Sequence, residues 1–183
     1  MVGIIIGIIV AVLIIFVISS YNGFIKLKNK CDEAFSTMDV YLKKRYDLIP
    51  NLVETVKGYA AHEKDTLEKV IAARNMAQSA TTAEDKIAGE NMLQGTLKSL
   101  FAVAENYPDL KANTNFMDLQ NQLKTMESEI ANARKYYNAV VKQFNTKCEM
   151  FPSNIIASVF HFERKPMFEV ESAEERQNVQ VKF

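Results

Sequence analysis

The chain has 183 residues, with 22 Lys and Arg set against 22 Asp and Glu. No net field favours a polyanion and no local basic patch supplies one, so nucleic acid is not expected as a partner. Gly (6) and Pro (4) are too scarce for a turn-rich sheet protein, and the composition points to long helices. Cys31 and Cys148 have neither CxxC spacing nor a nearby His set, so idle or buried thiols are expected rather than a disulfide framework or a zinc site.

From Met1 to Ile18 every residue is apolar or Gly, and Ser19, Ser20, Tyr21 and Asn22 precede the first charge at Lys26. About 18 to 20 residues, each rising 1.5 Å, cross a hydrocarbon core of about 30 Å. Residues 1–22 are therefore expected to be a transmembrane anchor in the lipid bilayer. A cleaved signal peptide is disfavoured by the lack of a basic start and of an A-x-A-like site. Lys26, Lys28 and Lys30 follow the span closely, which predicts a single-pass protein of the cell (inner) membrane with its N-terminus outside and its helical domain cytoplasmic. Gly3 and Gly7 form a GxxxG, which reads more simply as the ordinary glycine content of a membrane helix than as a dimer contact.

Beyond the span, Phe24, Leu27, Cys31, Ala34, Met38, Tyr41 and Leu48 recur at steps of three and four, with Arg45 in one slot of the same stripe. This first helix is expected to continue directly from the anchor, since only Gly23 interrupts. Pro50 should break it, by a kink or by a reversal. Leu52, Val56, Tyr59, Glu63, Leu67, Val70, Arg74 and Ala77 then predict a second helix of about 29 residues, ending at Ser79–Thr82. Thr82, three residues before Asp85, forms a weak capping box for a third helix marked by Ile87, Leu93, Leu97, Leu100, Phe101 and Ala104, which Tyr107-Pro108 closes. The fourth pattern is the clearest: Phe116, Leu119, Leu123, Met126, Ile130, Ala133, Tyr137, Val140 and Phe144.

The fold class expected is all-α, an N-terminal transmembrane helix followed by an antiparallel four-helix bundle over residues 23–151. An extended coiled coil is the alternative, and short connections argue against it. Residues 152–183 form a C-terminal strap whose apolar positions keep no helical period; from about Glu163 onward it is read as docked or partly disordered. If the fourth helix runs back toward the membrane, Phe151–Phe162 arrives at the bilayer surface.

These blocks resemble the LemA family of bacterial and archaeal membrane proteins. The resemblance lies in Tyr21-Asn22, Lys43-Lys44-Arg45-Tyr46-Asp47-Leu48-Ile49-Pro50-Asn51-Leu52-Val53 and Val56-Lys57-Gly58-Tyr59-Ala60-Ala61-His62-Glu63. It continues through Ala73-Arg74, Glu90-Asn91, Glu105-Asn106-Tyr107-Pro108-Asp109-Leu110-Lys111-Ala112-Asn113, Phe116, Leu119-Gln120, Glu127, Ile130-Ala131, Ala133-Arg134 and Tyr137-Asn138. The resemblance implies a four-helix domain on a membrane anchor and carries over no catalytic residue. One departure is Phe160-His161-Phe162, where the family suggests Phe-Gly-Phe and a sharper turn.

No residue pattern points to catalysis. His62-Glu63 would need a His at position 66 to make HExxH, and Thr66 stands there; no GxSxG, GxxxxGK or GxGxxG occurs. No enzyme activity, catalytic residue, metal or cofactor is expected. Lys43-Lys44-Arg45 reads as a solvated basic face. Arg45, Glu63 and Arg74 fall on otherwise apolar stripes, either snorkelling at the stripe's edge or pairing in a buried polar layer that fixes register. The functional expectation is a membrane-anchored scaffold or interaction protein, self-assembling as a homo-oligomer at the membrane. The alternative is an adaptor or regulator of another membrane protein, such as a protease or signalling component.

Overall fold

The computed structural model describes residues 1–168, and the remainder of the strap lies outside the described residues. Helices α1 (Val2–Lys57), α2 (Lys64–Ser79), α3 (Ala83–Ala104), α4 (Pro108–Lys111), α5 (Thr114–Glu149) and α6 (Ser153–Val159) follow in order. No strand occurs among the described residues, so the all-α expectation holds. Two compact units form: residues 1–39 with 132–167, and residues 40–131 with Phe168. Both draw on α1 and α5.

Of the two outcomes expected at Pro50, the reversal does not occur. α1 passes through Pro50 and ends only at Lys57, so α2 is a 16-residue helix rather than one of about 29. Proline removes the N–H that would bond the carbonyl four residues earlier, here Tyr46. Arg74 Nε donates to that carbonyl oxygen at 3.0 Å, so the acceptor is not left bare. The chain turns instead over Gly58–Glu63, where Tyr59 N and Ala60 N both bond Val56 O at 3.0 and 2.8 Å and buried Ala60 plugs the corner.

Along α1 the buried positions drift off the heptad. Phe24, Cys31, Ala34 and Met38 are buried as the stripe predicts, but beyond them Leu42 and Ile49 are buried while Tyr41 and Leu48 are only half-buried. A straight helix of 3.6 residues per turn slips about 20° per heptad against a 3.5-residue repeat, which moves the inward position on by one.

In the second unit, α2 and α3 approach closely at Gly89, where an added Cβ would stand 2.7 Å from Ala77 Cα. Thr82 caps α3 as expected: its Oγ1 accepts from Asp85 N at 3.1 Å and donates to Asp85 Oδ2 at 2.8 Å. Asn113 Oδ1 accepts from Phe116 N at 2.9 Å and starts α5.

In the first unit, the strap carries a helix that the sequence pattern did not suggest. α6 buries Ile156 and Ala157 and ends in a Schellman turn: Phe162 N bonds Ala157 O at 2.9 Å and His161 N bonds Ser158 O at 3.4 Å. His161 stands at φ 55°, so the left-handed turn is kept although the residue is not Gly. Phe162 then stacks on Phe24, ring centroids 4.6 Å apart and 11° from parallel. Lys165 and Asn145 exchange two hydrogen bonds of 2.9 Å, and Tyr137 OH donates to Pro166 O at 3.0 Å. The strap is therefore docked as far as the described residues reach.

Candidate functional site

The second unit is organised around a guanidinium. Arg45 is fully buried, which corrects its reading as part of a solvated basic run; Lys43 and Lys44 beside it are exposed. Its Nη2 donates to Glu90 Oε2 and its Nη1 to Glu127 Oε1 at 2.5 Å, so α1, α3 and α5 meet on one cation. Glu90 is buried as well, and the Glu127 side chain is 38% exposed. Burial alone would lower the Arg45 pKa, but the Glu90 and Glu127 carboxylates outweigh it and hold the group above its ordinary value. Arg45 Nε finds no acceptor among the described residues.

Tyr46 extends the cluster in two directions. Its hydroxyl donates to Glu90 Oε1, while its carbonyl takes the Arg74 bond. The three residues singled out on apolar stripes thus meet different fates. Arg45 does form a buried polar layer, but with Glu90 and Glu127. Arg74 serves a backbone carbonyl, and Glu63 accepts from Tyr107 OH at 3.1 Å. Glu90 was visible as a member of the stripe Glu90, Leu93, Leu97, Leu100, Ala104, whose 3,4,3,4 steps begin with it.

At the turns of this unit, Asn113 Nδ2 donates to Tyr59 OH at 2.9 Å, so Tyr59 and Glu63 in the turn after α1 both bond residues around α4. Desolvation and the Glu63 carboxylate push the Tyr107 phenol pKa up. Every one of these linked residues belongs to the blocks on which the family resemblance rests. Chemically the arrangement is one of static ion pairs and capped carbonyls. Among the described residues no group of His, Cys, Asp or Glu is placed to hold a metal ion.

The first unit offers surfaces rather than a pocket of reactive groups. α1 is long and apolar enough to cross a membrane, and none of its most apolar window is buried in the protein. Phe151, Ile155, Val159 and Phe160 are also exposed, and the Phe160 ring lies 4.8 Å from that of Tyr21, just beyond the apolar stretch. Cys31 and Cys148 are free thiols; Cys31 is buried and Cys148 half-buried.

The chain is 24% identical over 157 residues to protein LemA of Metamycoplasma hominis, a match covering 84% of this chain and 70% of the relative. It is 25% identical over 179 residues to magnetosome protein MamQ 2 of Paramagnetospirillum magneticum, covering 84% of this chain and 66% of the relative. Magnetosome protein MamQ of Magnetospirillum gryphiswaldense is 23% identical over 174 residues, with 81% and 64% covered. The family model for LemA matches residues 34–183, which takes in the Arg45 cluster, both sets of turns and the strap, and the chain belongs to the LemA family.

Proposed function

We propose that the protein is a single-pass, membrane-anchored helical scaffold without catalytic activity, whose antiparallel bundle assembles with further copies at the membrane. The observation that carries this reading is α1 itself, a bare apolar stretch that continues without interruption into a helix carrying core residues. Residues 1–22 then lie in the bilayer, and Lys26, Lys28 and Lys30 argue for the bundle on the cytoplasmic side of the inner membrane. The names of the relatives, LemA and magnetosome protein MamQ, specify no reaction. α6 fits beside the anchor as an interfacial foot, with Phe151, Ile155, Val159 and Phe160 in the headgroup layer.

Size in mild detergent tests the scaffold: large homogeneous particles of the full chain support it, and a strict monomer rejects it. The chain has no Trp, so Ile155→Trp adds a single reporter of the foot. Its emission should shift to the blue in liposomes; an emission unchanged from buffer would remove α6 from the interface.

A second reading, an adaptor or regulator of another membrane protein such as a protease or signalling component, draws on a groove of about 540 Å³ lined by Val53, Leu67, Ile71 and Ala72 with Lys57 and Glu68 at its edge. Such a groove suits an amphipathic helix. A monomer that retains one partner through extraction would favour it.

A further inference from the structure

We propose that a groove of the first unit, where Ser19, Asn22, Gly23 and Lys26 of α1 face Lys147 of α5, binds the phosphate of an anionic phospholipid whose acyl chain lies along Ile15 and Ile18. This rests on the reading of residues 1–22 as a membrane anchor.

The groove measures about 670 Å³. Ile15, Ile18, Ser19, Asn22 and Lys26 succeed one another at steps of three, one, three and four, which keeps them on one helical face. Their order, apolar then hydroxyl and amide then ammonium, follows that of a phospholipid from chain through ester region to phosphate. Lys147 completes the far wall. Its Nζ lies 4.8 Å from the centre of the Phe24 ring, and a Cβ on Gly23 would run into it, so the ammonium occupies the space that a side chain there would fill.

Neither lysine is ion-paired among the described residues, whereas Lys165 in the same unit holds Asp32 at 2.7 Å. Burial lowers the Lys147 pKa, a cost that a bound anion would offset. Two ammonium groups and two neutral hydrogen-bonding side chains complement a phosphate monoanion. The apolar continuation toward Ile15 distinguishes a lipid from a free ion.

The test uses the full chain. Carbonate washing of membranes first establishes anchoring: release of the protein overturns both readings, while retention followed by failure below overturns this one alone. The protein is then placed in nanodiscs of phosphatidylcholine with a minority of phosphatidylglycerol, re-extracted in mild detergent, and its retained lipids weighed by native mass spectrometry. Preferential retention of phosphatidylglycerol is expected, reduced about fivefold by Lys147→Gln or Lys26→Gln, since each lysine near a membrane surface contributes on that scale. Gly23→Ala keeps both charges but displaces the Lys147 ammonium and should also weaken retention. Lys98→Gln, on the second unit, should not.

Circular dichroism of each variant separates lost binding from lost folding, and a variant that unfolds is replaced by Lys147→Arg with Gly23→Ala, which keeps the charge while denying its position. Equal retention by wild type and the Lys26→Gln/Lys147→Gln pair would overturn the proposal. Displacement of phosphatidylglycerol by millimolar inorganic phosphate would overturn the lipid in favour of a free-ion site.

Discussion

Arg74 donates from Nε to the carbonyl oxygen of Tyr46 at 3.0 Å, and that oxygen is the one whose helical partner Pro50 removes. A side chain of α2 thus takes the place of a backbone bond of α1, which is why α1 passes through proline without stopping.

Arg74→Met should therefore cost about 1–2 kcal/mol, the penalty for leaving a desolvated carbonyl unpaired. In a Pro50→Ala background the Ala N–H serves Tyr46 O again, and most of that cost should vanish. Denaturant unfolding of the four proteins checks this as a double-mutant cycle; additive effects would mean that Arg74 contributes through packing alone.

Removing the Arg45 cation strands Glu90 in the core. Arg45→Met should cost about 3–5 kcal/mol, while Arg45→Met with Glu90→Met should recover only part of it, because the apolar pair removes the stranded carboxylate but leaves the buried Tyr46 hydroxyl without its acceptor. Glu127→Gln, at a partly exposed carboxylate, should cost about 1 kcal/mol or less. Thermal unfolding followed by circular dichroism ranks the three.

Two glycines of α3 should respond oppositely to alanine. At Gly95 nothing lies within 4 Å of an added Cβ, so Gly95→Ala should stabilise by about 0.5–1 kcal/mol through helix propensity. At Gly89 the Cβ meets the α2 backbone at Ala77, and forcing the helices apart should reverse the sign, with a net loss of about 1–3 kcal/mol. Melting temperatures of the two variants decide the matter.

His161→Gly should stabilise by about 0.5–1 kcal/mol, since glycine adopts the left-handed conformation at φ 55° without the steric cost. The gain should appear as a higher melting temperature with unchanged helix content.

Desolvation raises the Cys31 thiol pKa above its ordinary value of 9.0, with Lys165 opposing and Asp32 adding to the rise. A folded pKa above the unfolded one means stability that is whole below pH 9.0 and declines as pH rises toward the folded value. Alkylation of Cys31 at neutral pH should be slow in the folded protein, and Cys31→Ala should flatten the alkaline decline. Fast labelling by a maleimide would contradict the burial.

The apolar periodicity made the helical class and the continuity of the apolar stretch with the first helix legible in advance, and the Thr82–Asp85 spacing did the same for the α3 cap. What escaped was set by contacts distant in sequence. Pro50 reads as a breaker until Arg74 is seen to serve the orphaned carbonyl, and no local pattern announces that. Glu90 falls between Ile87 and Leu93 on the third stripe, but an acid among apolar positions reads as an edge residue until Arg45, distant in sequence, is seen to pair with it. The seven residues of α6 are too few to establish a period, and at His161 only the family's Phe-Gly-Phe, not the residue itself, hints at the left-handed conformation.

Because Phe162 covers Phe24, this face of α1 receives its lid from a residue far along the sequence. During synthesis that ring emerges early and waits uncovered until the strap is made, so this unit can close only after Phe162 has left the ribosome. Such a long-range closure also makes it a slow step in folding, and any ribosomal stall short of Phe162 would leave the aromatic face open to chaperones.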